Sequence, residues 1–248
     1  PLIQLNNPTL IYGPGSSGKS WMAQYISVLV GAGLSATGYN VEPSTVLYLD
    51  WETDEQELKS RISMIRRGLG LEGKSNIWYK SMASGLAADL EVVKGTVVDH
   101  GVGLAIIDSI GSACAGEPEN AAVVLGMFSA IRALKTSSLL IDHTNKENHL
   151  FGSVYKFNAA RQIFEVKKNQ ESNEERIVMG LFHRKANNSK IQKDMGFELS
   201  FGEGAVTIER RDVRNTRLEE HMRMVDRVEN LLRHGPLMVT DIAESLDR

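Results

Sequence analysis

Gly13-Pro14-Gly15-Ser16-Ser17-Gly18-Lys19-Ser20 is the stretch that decides how this chain folds. It satisfies the pattern G-x-x-x-x-G-K-[ST] in full. An apolar run over residues 9–12 precedes it and reads as a strand. After it comes a helix pattern with Met22, Ile26 and Leu29 or Val30 on one face. Each part of the loop has a physical task. The glycines let backbone N–H groups turn inward around a phosphate, and the helix N-terminus adds a favourable dipole. Lys19 would neutralise charge on the β- and γ-phosphates, and the Ser20 hydroxyl would ligate Mg2+. The expected ligand is a nucleoside triphosphate with Mg2+, ATP or GTP. It would be held by Gly13, Pro14, Gly15, Ser16, Ser17, Gly18, Lys19, Ser20 and the adjoining Trp21.

Outward from the loop, strands and helices alternate. Residues 46–49 and 104–107 read as buried strands, and 77–79 and 138–141 as further strands. Helices are expected from Thr53, with Gln56 three residues on at capping-box spacing, over residues 86–98, and over 120–135. Near-continuous apolar strands alternating with helices predict a parallel sheet covered on both faces. After residue 160 the pattern changes. Residues 162–168, 177–183, 198–201 and 205–209 read as strands joined by polar turns, an antiparallel C-terminal extension of the sheet. The fold class is therefore α/β, with a mostly parallel central sheet flanked by helices. Residues 210–217 read as a linker, 218–233 as a helix ended by His234-Gly235-Pro236, and 239–246 as the start of another helix. The domain division expected is 1–212 for the body and 213–248 for a helical segment that reads as the start of a helix-turn-helix.

Composition narrows the class. The chain has 248 residues, enough for one sizeable core. Its single cysteine, Cys114, cannot form an internal disulfide, which fits a reducing, cytoplasmic location. No apolar run has the length of a membrane helix, and no signal-peptide plan is evident. A chain opening at Pro1, a few residues before its first strand, reads as a fragment of a longer protein. The net charge of −3 excludes a protein that coats duplex DNA by bulk electrostatics. Basic character is local instead: residues 146–193 hold ten Lys or Arg against five acids. Its bland alternative is a solvated β-region.

Two acids stand at strand ends, where open α/β sheets bind ligands. Asp108 closes the run Leu104-Ala105-Ile106-Ile107, and would hold Mg2+ through water, with Ser109 beside it in position to assist. Glu52 ends Val46-Leu47-Tyr48-Leu49-Asp50-Trp51-Glu52, and could orient and deprotonate an attacking water. Asp50 competes for that role, because period 2 puts both acids on the same side. Glu52 is favoured because it lies further past the strand.

These residues in this order resemble the RecA-like P-loop ATPases, above all the RepA-type and DnaB-type hexameric helicases related to RecA recombinases. The resemblance rests on the phosphate loop, the YLD-x-E segment at Tyr48–Glu52, Ile106-Ile107-Asp108-Ser109, the pair Glu119-Asn120, and a strand ending Leu140-Ile141-Asp142-His143. It covers roughly residues 5–210. It implies that His143 senses the γ-phosphate, although many relatives carry Gln there. It implies that within Gly152 to Arg161 a glycine-rich DNA-binding loop runs into the next helix, its backbone and Lys156 contacting phosphates, and that residues 143–152 face a channel. It also implies that Lys185 or Arg184 reaches a neighbouring subunit's γ-phosphate. The partners implied are single-stranded DNA and further copies of the chain, in a hexameric ring or a filament; no membrane is implied. A KaiC-type regulatory ATPase and a small-molecule kinase are the competing functions. The kinase is disfavoured because no acceptor lid is recognisable.

Overall fold

The computed structural model describes residues 1–145, 150–152, 154–169, 175–214, 216–233 and 235–246. In chain order, the first half comprises β1 (Pro8–Gly13), α1 (Lys19–Ala32), β2 (Thr45–Asp50), α2 (Glu55–Gly68), β3 (Ile77–Ser81), α3 (Leu90–Asp99), β4 (Val102–Asp108), α4 (Ile110–Ala113), α5 (Ala121–Ala133) and β5 (Ser137–His143). The second half comprises α6 (Val154–Ala159), β6 (Gln162–Lys168), β7 (Arg176–Ala186), β8 (Met195–Gly202), β9 (Ala205–Arg211), a 3-10 turn (Arg217–His221), α7 (Met224–Leu232) and α8 (Val239–Leu246).

One sheet runs β3-β2-β4-β5-β1-β6-β7-β8-β9. Its first six strands are parallel and the remainder antiparallel. Successive residues of the parallel strands point to opposite faces, and both faces are covered. Ile11, Val46, Tyr48, Leu104, Ile106 and Ile141 enter one core with α1 and α2. Leu10, Leu47, Leu49, Ala105, Ile107 and Leu140 enter the other with α3 and α5. That double burial is why these strands read as unbroken apolar runs.

The antiparallel strands curl back over the first core, so that β9 lies on α2. Gly68 is the contact point: a Cβ there would come 2.0 Å from the Val206 carbonyl oxygen. Leu199, Val206 and Ile208 join this core together with residues of α1 and α2.

Four local expectations are corrected. α2 is capped by Asp54, whose carboxylate accepts from the Glu57 N–H at 2.8 Å, one residue later than the Thr53 box. α3 starts at Leu90 rather than at residue 86, because Leu86 is buried and its N–H bonds the Ala113 carbonyl at 3.0 Å. The segment after β9 is no free linker: Val213 and Leu218 pack on Val178 and Phe182 of β7. The helix expected over 218–233 is a 3-10 turn and α7, interrupted at Met222 and Arg223, both extended in backbone. Among the described residues no helix is long and apolar enough to cross a membrane.

Candidate active site

Strand register gathers the site. Gly13 at the end of β1 pairs with His143 at the end of β5, and Asp50 of β2 pairs with Asp108 of β4. All four stand at the carboxyl edge of the sheet. The Thr144 N–H, just past β5, bonds the Gly13 carbonyl at 3.3 Å.

The loop is built from left-handed turns at Ser16 (φ 55) and Gly18 (φ 91). Gly18 is also the residue before α1, so the first N–H groups of that helix face the loop. Gly15 and Ser16 are exposed, while Ser17, Gly18 and Lys19 are buried. The Lys19 ammonium donates to the carbonyls of Gly13 at 2.9 Å and Pro14 at 2.7 Å. Burial pulls Lys19 down to about 8, opposed by the carboxylates of Asp108, Glu52 and Asp142.

Asp108 is buried, and its two oxygens differ. Oδ2 accepts from the Tyr48 hydroxyl at 2.8 Å, whereas Oδ1 is buried without a partner. The Ser20 hydroxyl lies close enough to lower the pKa of this carboxyl. Burial pushes Asp108 up to about 6 against the hydrogen bond from Tyr48. A serine hydroxyl beside a carboxylate with an unused buried oxygen fits Mg2+, a cation that takes few protein ligands and keeps waters.

Asp50 and Glu52 are separated by their partners. Asp50 accepts the Glu52 N–H at 2.9 Å, the Thr53 N–H at 3.0 Å and the Thr53 hydroxyl. Its carboxylate is occupied in building the turn. Glu52, presented by that turn, accepts from the Ser109 hydroxyl and lies 3.3 Å from His143 Nε2. The His143 hydrogen bond holds its carboxyl below the usual range, helped by Ser109 and Lys19 and opposed by burial. An ionised carboxylate here can accept a proton from water.

Ser16, Ser17, Gly18, Lys19, Ser20, Trp21, Glu52 and His143 line one cleft of about 450 Å³. Thr53, Arg61, Lys168, Ile177 and Phe201 complete it, and sequence reasoning missed them as site residues. Trp21 meets Phe201 edge-on at 5.2 Å, and the Arg61 guanidinium lies 5.2 Å over the Trp21 ring. Phe201 arrives from β8 through the curl of the sheet, which no local pattern announces. Arg61 carried one signal: it lies one helical turn from Glu57, with which it pairs.

The remaining residues expected to act lie outside this cleft. The structure does not bring Arg184 or Lys185 to this cleft. Arg184 donates to Glu165 at 2.8 Å and to the His221 carbonyl at 2.7 Å. Lys185 donates to the carbonyls of Phe157, Asn158 and Ala160 around the end of α6. Lys156, read as a phosphate contact for DNA, is fully buried and paired with Asp142; it is no surface cation. The loop expected to face a channel includes residues 146–149, which lie outside the described residues.

The profile of a family described as AAA domain matches residues 1–149. The chain belongs to that family. The match takes in the phosphate loop, Glu52, Asp108 and His143, and ends before the antiparallel strands of this AAA domain protein. No curated protein matches the chain. Among solved structures it is similar to a KaiC-like protein from the hyperthermophilic archaeon Pyrococcus horikoshii OT3, at 14% identity and a TM-score of 0.59. That similarity covers 83% of this chain and 90% of the other, and is one of fold. This AAA domain protein is a RecA-like P-loop ATPase.

Proposed function

We propose that this ATPase depends on nucleic acid and works as a homo-oligomer, a hexameric ring or a filament, as a DNA helicase or recombinase motor in replication or recombination. The observation that carries hydrolysis is Glu52, an ionised carboxylate in the cleft tied to Ser109 and His143. It would take the proton from the water that attacks the γ-phosphate. Lys19 and Ser20 would hold phosphates and Mg2+, Asp108 would hold Mg2+ through water, and His143 would sense the γ-phosphate. Mg2+, when bound, neutralises charge that develops between the β- and γ-phosphates. Arg184 or Lys185 would act on a neighbour's nucleotide. Residues 1–212 would be the motor body and 213–248 an accessory helical segment.

Single-stranded DNA as the partner is supported by the resemblance to RepA-type and DnaB-type helicases. It is also supported by exposed Phe151, whose N–H bonds the His143 carbonyl, and by exposed Tyr155 of α6. Exposed aromatic faces suit base stacking. A second reading is a KaiC-type regulatory ATPase without DNA, favoured by the fold of its KaiC-like neighbour and the net charge of −3. Hydrolysis measured with and without single-stranded DNA separates the two. Stimulation that weakens steeply with salt is expected, and a rate indifferent to DNA would favour the regulatory reading.

A further inference from the structure

A buried ion pair lies directly behind the site. Lys156 of α6 is 0% exposed and Asp142 of β5 2%, with Nζ 2.8 Å from Oδ2. The other oxygen of Asp142 accepts the main-chain N–H of His143 at 2.9 Å. The His143 carbonyl accepts the Phe151 N–H at 3.1 Å, and its Nε2 lies 3.3 Å from Glu52. The chain of contacts therefore runs from Lys156 to Asp142, to the His143 backbone, and to the imidazole against Glu52.

A buried pair of this kind adds little net stability compared with apolar groups of the same volume, because desolvation of both ions offsets their attraction. Its consequence is geometric. Asp142 cannot turn away from His143 while Lys156 holds Oδ2, and Lys156 is anchored by a short helix packed on α5. The Lys156 ammonium also lies 5.8 Å from the ring centre of Phe151, so the segment that bonds the His143 carbonyl and the cation that fixes Asp142 move together.

We propose that Lys156 and Asp142 are positioning residues for hydrolysis: they fix the His143 main chain and, through it, the imidazole beside Glu52. This rests on the reading of Glu52 and His143 as the hydrolytic pair.

The test uses the full chain. Lys156→Met alone leaves a buried carboxylate unpaired, so the informative variant is Asp142→Asn/Lys156→Met, which removes both charges with little change in volume. Asp142→Leu/Lys156→Met, which also leaves no charge unpaired and removes the acceptor of the His143 N–H, is the second arm. Both should bind a non-hydrolysable ATP analogue within about threefold of wild type, while kcat falls about ten- to a hundredfold, as small misplacements of reacting groups do. Added to His143→Ala, the first double change should lower kcat no further, because residues acting through one another are not additive. Wild-type kcat in both variants overturns the proposal. So does a loss that multiplies undiminished onto His143→Ala, or a failure of both variants to fold. Wild-type kcat in His143→Ala and Glu52→Gln would instead overturn the underlying reading of the pair.

Discussion

The Tyr48 hydroxyl donates to Asp108 Oδ2 at 2.8 Å and leaves Oδ1 as the unpartnered oxygen. Tyr48 is wholly buried, and burial with Asp108 alongside pushes its phenol well above the ordinary value, so it stays a neutral donor. The pair thus occupies Oδ2 and leaves Oδ1 as the oxygen without a hydrogen bond. Tyr48→Phe keeps the ring and deletes the donor. The fold should lose about 1 kcal/mol. The Mg2+ concentration for half-maximal hydrolysis should rise about tenfold or more, the usual effect of losing a group that orients a metal-holding residue. A magnesium titration with a thermal melt checks this, and an unchanged Mg2+ requirement counts against it.

Glu52→Gln preserves shape and the hydrogen bond from Ser109 but removes the base. ATP binding is expected within a few-fold of wild type, with hydrolysis down about a hundredfold or more. Asp50→Asn should behave differently. Asp50 organises the turn through three contacts, so its loss should weaken thermal stability as well as rate. If Asp50→Asn binds ATP normally, melts normally and fails to hydrolyse while Glu52→Gln is active, the base is Asp50.

The loop, the four strand ends and the two-face burial were legible because each is a local pattern. The signal fits within a few residues, and hydrogen-bond register does the rest. What escaped reading depends on contacts distant in sequence. Phe201 reaches the cleft only because β8 and β9 curl onto α2. Lys156 looks like a surface cation in a basic stretch until Asp142, fourteen residues earlier, is found beside it. The α2 cap went to Asp54 because Asp50 had already engaged the Thr53 hydroxyl, and two adjacent capping residues cannot be ranked without that contact.

Asp194, between β7 and β8, predicts a pH dependence of stability. Neither of its carboxylate oxygens meets a side-chain donor. Burial, with Asp226 adding, pushes the group up to about 6, against Arg184 and Arg223. The unfolded value is about 3.9. A carboxyl raised by folding binds its proton more tightly in the native state, so stability falls as pH rises from about 4 to about 6 and is then flat. Asp194→Asn should melt above wild type at pH 7.5, with the difference shrinking toward pH 4.5. Thermal melts across that range test it; a variant less stable than wild type at pH 7.5 contradicts it.

Arg184 and Lys185 bear on assembly. Among the described residues, the hydrogen-bond partners of both are Glu165, the His221 carbonyl and the end of α6, and neither lines the cleft of the phosphate loop. A group that acts on a neighbour's nucleotide need not line the cleft of its own chain, and these two do not. Lys19→Ala should abolish hydrolysis by removing the loop cation, and Arg184→Ala/Lys185→Ala should lower it roughly a thousandfold or more if the finger is lost. Mixing the two should restore part of the activity, because one subunit supplies the loop and the other the finger. Specific activity of the wild type should rise with concentration until oligomers saturate. The intrachain contacts supply the control: Lys185 neutralises three carbonyls at the end of α6, so its loss also threatens that helix. If the double variant melts early and mixing restores nothing, the two side chains hold the fold together and reach no neighbour. If it melts normally and mixing restores activity, the contacts seen within one chain are exchanged for a phosphate when subunits meet.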